Sequence, residues 1–326
     1  MQIDLKNLAS LLRGRRRDAG LAALVQHPEG VGLVHVLRVA GAAKPQLKVL
    51  KFVSHADHRG VTDVVLDLVN STGTSKVIYT AVLDYATYTV FPSDSPQVPQ
   101  EELAQAIRWR IKDRLDYPVD KAVVDTFPLP GVRGATQVYV VAAHDEVVQK
   151  AVALFHACKL PLNYLDIPEL ALLNLTRGLP ENDDGMALLY LGRTNGMVLA
   201  IKGGELYLAR GIDIGVNQLL GALGGRADVD EETLGACGSI DRLELEIQRT
   251  LDYFESHFGQ PPIPALLVCP MEVHFAVLNR LLSDRLSMLV KDLPLDQVLD
   301  GVEGLDSMDL ARCFIGLGAA LRDTGE

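Results

Sequence analysis

Few residues of this 326-residue chain have types and spacings that could do chemistry, and most of those have a plainer explanation. His55, Asp57 and His58 could ligate a metal, since imidazole and carboxylate both serve as zinc donors. They stand in a polar stretch with no further ligand close by, the usual pattern of solvent-facing residues, and no metal is expected. Gly316 and Gly318 fail the dinucleotide fingerprint, because Leu321 stands where its third glycine belongs and no strand immediately precedes them. Asp213-Ile214-Gly215 imitates a phosphate-binding turn, yet it follows the third strand of its group and reads as a strand-to-helix connection. Cys158, Cys237, Cys269 and Cys313 contain no close pair, so a CxxC redox or zinc motif is excluded. No Ser/His/Asp set or Gly-x-Ser-x-Gly elbow is recognisable. Glu169 is left as the one weak catalytic candidate. A carboxylate at a helix start could orient a water for attack, and it is also what the helix dipole favours in any first turn.

The elements that would carry these residues fall into two similar groups. Leu21 to Gln26, Val31 to Val39 and Leu47 to Val53 read as three strands joined by short connections. A helix over Val61 to Val69 and a strand over Lys76 to Leu83 follow. Pro92, Pro96 and Pro99 mark a loop, and the spacing of Leu103, Ile107, Ile111 and Leu115 predicts a helix over Glu101 to Leu115. Val123 to Phe127 and Thr136 to Ala142 read as strands, and Asp145 to Cys158 as a helix. A strand at Leu162 to Leu165 leads into a helix from Pro168 to Thr176, with proline in its first turn and Asp166 ahead as a candidate cap. The polar run Leu179 to Gly185 separates this half from a second three-strand group at Met186 to Leu191, Gly196 to Ile201 and Glu205 to Arg210. Helices near Val216, over Asp241 to Phe258, Glu272 to Asp284 and Met308 to Arg322, with a buried strand at Ala265 to Val268, complete the pattern. The expected division is a basic head (1–19), a first lobe (20–85), an inserted α+β subdomain (86–161), a return to lobe one through an interlobe helix (162–180), and a second lobe (185–326).

The chain is long enough for two cores. No apolar run approaches the roughly 18 to 20 residues of a membrane span, and Met1 to Gly20 has no apolar signal-peptide core. Scattered free cysteines fit a reducing compartment, so a cytoplasmic location is expected. Lys6, Arg13, Arg15, Arg16 and Arg17 against Asp4 give the head a local +4, which leaves −15 on the remainder of a chain whose net charge is −11. An acidic body argues against nucleic acid as a partner. The head reads either as a solvated tail or, with Leu5, Leu8 and Leu12 at helical spacing, as an amphipathic helix for peripheral membrane contact.

Four stretches carry a resemblance: Leu165-Asp166-Ile167-Pro168-Glu169-Leu170-Ala171-Leu172 with Asn174-Leu175, Glu101-Glu102-Leu103 with Ala106 and Trp109, Glu246 to Phe254, and Gly316 to Arg322. In this order and spacing they resemble the PilM family of type IV pilus biogenesis proteins, and within it the MshI group of the mannose-sensitive haemagglutinin (MSHA) pilus. The resemblance implies an actin-like α/β fold related to FtsA: two lobes, with a small α+β subdomain inserted in the first. It implies a cytoplasmic scaffold at the inner face of the inner membrane that captures the cytoplasmic tail of a membrane-embedded pilus-assembly partner. The groove would lie between lobe one and the insert, with Val123, Val124, Asp125, Phe127, Val138 and Val140 as its expected walls, and β-strand addition would be the binding mode.

The resemblance also poses the question of ATP. Actin-like enzymes hold nucleotide phosphates between two hairpin turns whose small residues let backbone amides approach. In this chain the first turn is Gln26-His27-Pro28-Glu29-Gly30, where proline removes a donor and no Asp-x-Gly is present. The second is Tyr190-Leu191-Gly192-Arg193-Thr194-Asn195-Gly196, which keeps glycine and lacks the aspartate. Val268-Cys269-Pro270-Met271 stands where the family carries a Gly-Gly for the adenosine. Gly30, Gly192, Arg193, Thr194 and Gly196 are therefore expected to form a degenerate nucleotide site. No cofactor is required by this reading, and a pseudo-ATPase is expected. The alternatives are a working ATPase that binds ATP and magnesium through a divergent site with Glu169, and an actin-like platform domain of a type II secretion system.

Overall fold

From Leu21 to Val25 the chain has no polar side chain, and this run forms the central strand of a five-stranded sheet. A computed structural model describes residues 20–39, 41–55, 60–131 and 137–323. The basic head, Asp57 and His58 lie outside the described residues.

Strand β1 (Leu21–His27) pairs antiparallel with β2 (Gly30–Leu37), and β2 with β3 (Gln46–Ser54). Helix α1 (Val61–Thr72) crosses over to β4 (Ile78–Val82), which runs parallel to β1, the connection that parallel strands require. Val64, Val65, Leu68 and Val69 bury one face of α1 beneath this sheet with Leu33 and Tyr79. The chain then builds a separate three-stranded sheet from β5 (Tyr88–Asp94), β6 (Ala122–Leu129) and β7 (Gln137–His144), with β7 in the middle. Helix α2 (Gln100–Arg110) covers one face of it, and α3 (Asp145–Ala157) follows β7. Strand β8 (Leu162–Asp166) rejoins the first sheet beside β4, giving the order β3-β2-β1-β4-β8, and α4 (Pro168–Asn174) leaves it.

The second lobe repeats this plan. Strands β9 (Met186–Leu191), β10 (Gly196–Lys202) and β11 (Glu205–Ile212) form the meander, α5 (Val216–Ala222) and the amphipathic α6 (Gly238–Phe258) follow, and β12 (Ala265–Val268) lies parallel to β9. Helix α7 (Leu278–Leu286) leads to β13 (Leu289–Asp292), and the order β11-β10-β9-β12-β13 matches the first sheet strand for strand. Helix α8 (Ser307–Ala320) closes the described chain.

The closing helix, expected with lobe two, packs on the lobe-one sheet and against α4. Glycines make this approach close. A Cβ on Gly318 would sit 2.0 Å from the Ala171 carbonyl oxygen, and one on Gly316 2.7 Å from the Val25 side chain. The glycines that imitated a nucleotide fingerprint are thus a packing seam. Through it one core joins Ala23, Val34 and Val36 of lobe one to Leu188 and Leu199 of lobe two, by way of Leu172, Phe314 and Leu317.

Several elements differ from expectation. Pro92 lies inside β5 rather than in a loop, which its position on an outer strand permits. Helix α2 stops at Arg110 and tightens into a 3-10 turn at Lys112–Arg114. Ile167, not Asp166, occupies the cap of α4, while Asp166 accepts the Ile167 N–H and pairs with Arg322 at 3.2 Å. The helix expected from Glu272 begins only at Leu278, and β13 was not anticipated.

Candidate functional site

The turns His27–Gly30 and Gly192–Gly196 face one another across a cleft of about 350 Å³ between the lobes. Four charged side chains close into a ring there. Glu29 of the first turn pairs with Arg193 of the second, Arg193 approaches Glu272 at 3.5 Å, Glu272 pairs with Arg312 of α8 at 3.2 Å, and Arg312 returns to Glu29 at 3.4 Å. The signs alternate around the ring, and two of its contacts join lobe one with its packed helix α8 to lobe two. The His27 ring shares a 2.7 Å hydrogen bond with the Arg312 carbonyl, and the Arg312 guanidinium lies 4.8 Å from the Phe52 ring centre.

The backbone of the second turn is committed as well. The Gly192 and Arg193 carbonyls accept the N–H groups of Val216 and Asn217, the first turn of α5, at 2.8 and 2.9 Å. Gln218 donates its side-chain amide to the Thr194 carbonyl, and the Gly192 N–H donates to Asn195. Amides that could meet a phosphate at a helix start are thus used inside the protein.

Of the residues expected to form the degenerate nucleotide site, Gly192, Arg193, Thr194 and Gly196 line this cleft and Gly30 does not. Gly30 is buried at the start of β2, where a Cβ would lie 2.2 Å from the Val53 carbonyl. Gly196 likewise admits the Tyr190 carbonyl, 2.6 Å from where its Cβ would stand. Both glycines serve strand packing. Sequence reasoning did not find the ring. Glu29 and Arg312 are separated by 283 positions, and nothing local marks them as partners.

Glu169 faces elsewhere. It is 3% exposed, and its carboxylate accepts the Tyr88 hydroxyl at 2.6 Å. Burial raises its pKa above the ordinary carboxylate value, against the lowering effect of the Tyr88 hydrogen bond and a backbone N–H. Its neighbour Pro168 lines the inter-turn cleft, whereas Glu169 lines a second, larger one.

That second cleft, about 770 Å³, lies between the three-stranded insert and lobe two. Two outer strands border it, β5 of the insert and β11 of the lobe-two sheet. Tyr85, Tyr139, Leu208, Tyr253 and Phe258 supply aromatic and apolar surface, with Arg110 and Arg114 from the end of α2 and the turn after it. Tyr139 fastens the two walls: its hydroxyl donates to the Tyr207 carbonyl at 2.7 Å and its ring stacks on Phe127. Outer strands bounding an amphipathic cavity can accept an extended chain, whose backbone continues a sheet while its side chains fill the space between.

The groove residues read from the sequence are split by strand alternation. Val138 and Val140 are buried under Leu103 and Ile107 of α2 and Ile111 just after it, so they cannot line an open groove, and Val124 packs on the same face. Phe127 points the other way, onto Tyr139. Val123 and Asp125 alone are exposed, on the outer strand β6. Among the described residues no group of three His, Cys, Asp or Glu is arranged to hold a metal ion. No described helix is long and apolar enough to cross a membrane. All four cysteines are free and buried.

No protein-family model matches the sequence, and no curated protein matches it. Among solved structures, a chain of the PilM-PilN type IV pilus biogenesis complex superposes with a TM-score of 0.73 at 19% identity, covering 94% of this chain and 98% of that one. The ethanolamine utilization protein EutJ from Carboxydothermus hydrogenoformans follows at 0.47 and 13% identity, covering 92% of this chain and 88% of that one. The cytoplasmic domain of EpsL, an inner-membrane component of the type II secretion system of Vibrio cholerae, gives 0.44 at 11% identity, covering 82% and 94%. At 19% identity the likeness to the pilus-complex chain is one of fold, and with the doubled sheet order the fold is actin-like and two-lobed, as the sequence reading expected.

Proposed function

We propose that this protein is a non-catalytic scaffold of a type IV pilus assembly machine, of the MshI kind, which captures the cytoplasmic tail of an inner-membrane partner at the cytoplasmic face of that membrane. The carrying observation is the 770 Å³ cleft between the insert and lobe two, bordered by the outer strands β5 and β11 and lined with aromatic rings. An extended tail entering it would gain backbone hydrogen bonds from a strand edge and bury side chains against Tyr85, Tyr253 and Phe258. The fold shared with a chain of the PilM-PilN complex supports the pilus setting. The pseudo-ATPase half of the reading is supported by the inter-turn cleft, where carboxylates Glu29 and Glu272 meet any incoming phosphate and both guanidiniums are already paired.

The test is a titration of the full chain with the synthetic cytoplasmic tail of the inner-membrane pilus protein encoded by the same genome, beside a titration with magnesium-ATP. Micromolar tail binding is expected, lost when exposed Thr89 of the cleft wall is replaced (Thr89→Arg) with the circular dichroism spectrum unchanged. Magnesium-ATP should give no heat up to millimolar concentration. Tail binding that survives Thr89→Arg would move the site away from this cleft, and micromolar ATP binding would refute the pseudo-ATPase half.

A further inference from the structure

We infer that the outward face of α2 docks on an anionic lipid surface. Leu103 and Ile107, with Ile111 at its C-cap, turn one face of this helix into the insert core. On the opposite face stands Trp109, the single tryptophan of the chain, 67% exposed. The run Arg108-Trp109-Arg110-Ile111-Lys112-Asp113-Arg114 carries four cations against one anion, in a protein whose net charge is −11.

Among the described residues no carboxylate pairs with these cations. Arg108 donates to the carbonyls of Val119 and Asp120 at 2.8 and 2.9 Å, and Arg114 to the Pro92 carbonyl at 2.9 Å with its guanidinium over the Phe91 ring. Carbonyls and a ring hold the side chains outstretched without cancelling their charge. Arg110 and Lys112 are exposed and make no ion pair among the described residues. The negative end of the helix dipole explains why cations collect at this end. It does not explain an indole left in water among them.

Two kinds of surface take an exposed tryptophan. A protein interface surrounds such an anchor with further apolar contacts that exclude water. Around Trp109 the outward positions are Glu102, Gln105, Lys112 and Asp113, all exposed and polar, with only half-buried Ala106 beside them, which supply no such ring. A lone indole among cations matches the headgroup layer of an anionic bilayer, where tryptophan settles at the interface and each cation is attracted to the surface. Arg110 and Arg114 also line the tail cleft, whereas Trp109 and Lys112 stand outside its lining, and the inference stands without the reading proposed for that cleft.

The single tryptophan makes the test direct. The full chain is mixed with vesicles of phosphatidylglycerol or of phosphatidylcholine, with and without bromine-labelled acyl chains. With phosphatidylglycerol, co-sedimentation, a blue shift of tryptophan emission and quenching by the bromines are expected, all weakened at 0.5 M salt. Phosphatidylcholine should give none of these. Neutralising two cations (Arg110→Gln with Lys112→Gln) should weaken partitioning about 30-fold, from about fivefold per cation near such a surface. Co-sedimentation with the tryptophan unshifted and unquenched would assign membrane binding to another segment and overturn the inference. So would equal binding to both lipids, or none to either.

Discussion

The ring of Glu29, Arg193, Glu272 and Arg312 should hold the two lobes together without any bound nucleotide, and truncating it should measure how strongly. Arg193→Ala removes a guanidinium that touches Glu29 in lobe one and Glu272 in lobe two. The side chains of Arg193 and Glu29 are 42% and 47% exposed, so their pair belongs to the surface class, and a coupling of about 0.5 to 1 kcal/mol is expected. Arg312 and Glu272 are more sheltered, at 21% and 13%, and Arg312 also covers Phe52. Removing Arg312 leaves the Glu272 carboxylate half-paired in a poorly hydrated place and uncovers an aromatic ring, so Arg312→Ala should cost about 2 kcal/mol. The assay is urea unfolding of wild type, Glu29→Ala, Arg193→Ala and the double variant, which isolates the pairwise energy from the cost of each truncation. It is repeated in 1 M NaCl, where the Debye length falls to about 3 Å and the coupling of the exposed pair should drop by at least half. A coupling below about 0.3 kcal/mol at low salt, within the scatter for independent sites, would refute the clasp.

Two further expectations test the packing and the buried carboxylate. Gly318→Ala places a methyl 2.0 Å from the Ala171 carbonyl, where backbone must yield to backbone, and should destabilise by about 3 kcal/mol; Gly221→Ala in α5, with open space around it, should be neutral or stabilising by up to about 1 kcal/mol. Equal thermal midpoints for the two variants would show that the seam is loose. Glu169→Gln keeps an acceptor for Tyr88 and removes the titration. Because burial raises the folded-state pKa of Glu169, its favourable contribution is complete below the unfolded carboxylate value and is lost as pH rises through the raised one. The variant should therefore gain on wild type in thermal denaturation as pH rises above the unfolded carboxylate value, and a stability difference independent of pH would contradict the assignment.

The fold was legible because its signals are local and repeated. Short turns at His27-Pro28-Glu29-Gly30 and Lys202-Gly203-Gly204 punctuate apolar strands in both halves, and the structure places a hairpin at each. The two sheets then close in the same order because the same sequence of elements feeds them. The sites were less legible for a reason visible in β7. Val138, Tyr139, Val140, Val141 and Ala142 are apolar on both faces, so the strand pattern cannot say which face α2 covers, and Val138 and Val140 lie on the covered one. Pro92 misled because a proline is compatible with a loop or an outer strand, and only the strand order decides between them. Gly316 and Gly318 carried a usable packing signal that rejecting the dinucleotide fingerprint left unused. Two glycines inside an apolar helix cost helix propensity, which close packing against another element offsets.

The two clefts divide the chemistry between them. In the inter-turn cleft the four ring charges each have an opposite neighbour, Asp84 accepts the Ala86 N–H, and the helix-start amides are taken by the turn itself, so little is left unsatisfied for a ligand to satisfy. In the cleft beside the insert the reverse holds: two strands present outer edges, and the buried carboxylate of Glu169 has a hydroxyl and a backbone amide for company and no ion pair among the described residues. Unsatisfied groups are where binding free energy is available, because a ligand gains there what the protein has not already spent on itself. A nucleotide phosphate entering the first cleft would meet the carboxylates of Glu29 and Glu272 beside guanidiniums already paired with them. An extended tail entering the second breaks nothing. The α4–α8 seam and the charge ring join the lobes, and the insert is tied to lobe two through Tyr139, so the wall against which the proposed tail would lie is anchored to the rest of the protein.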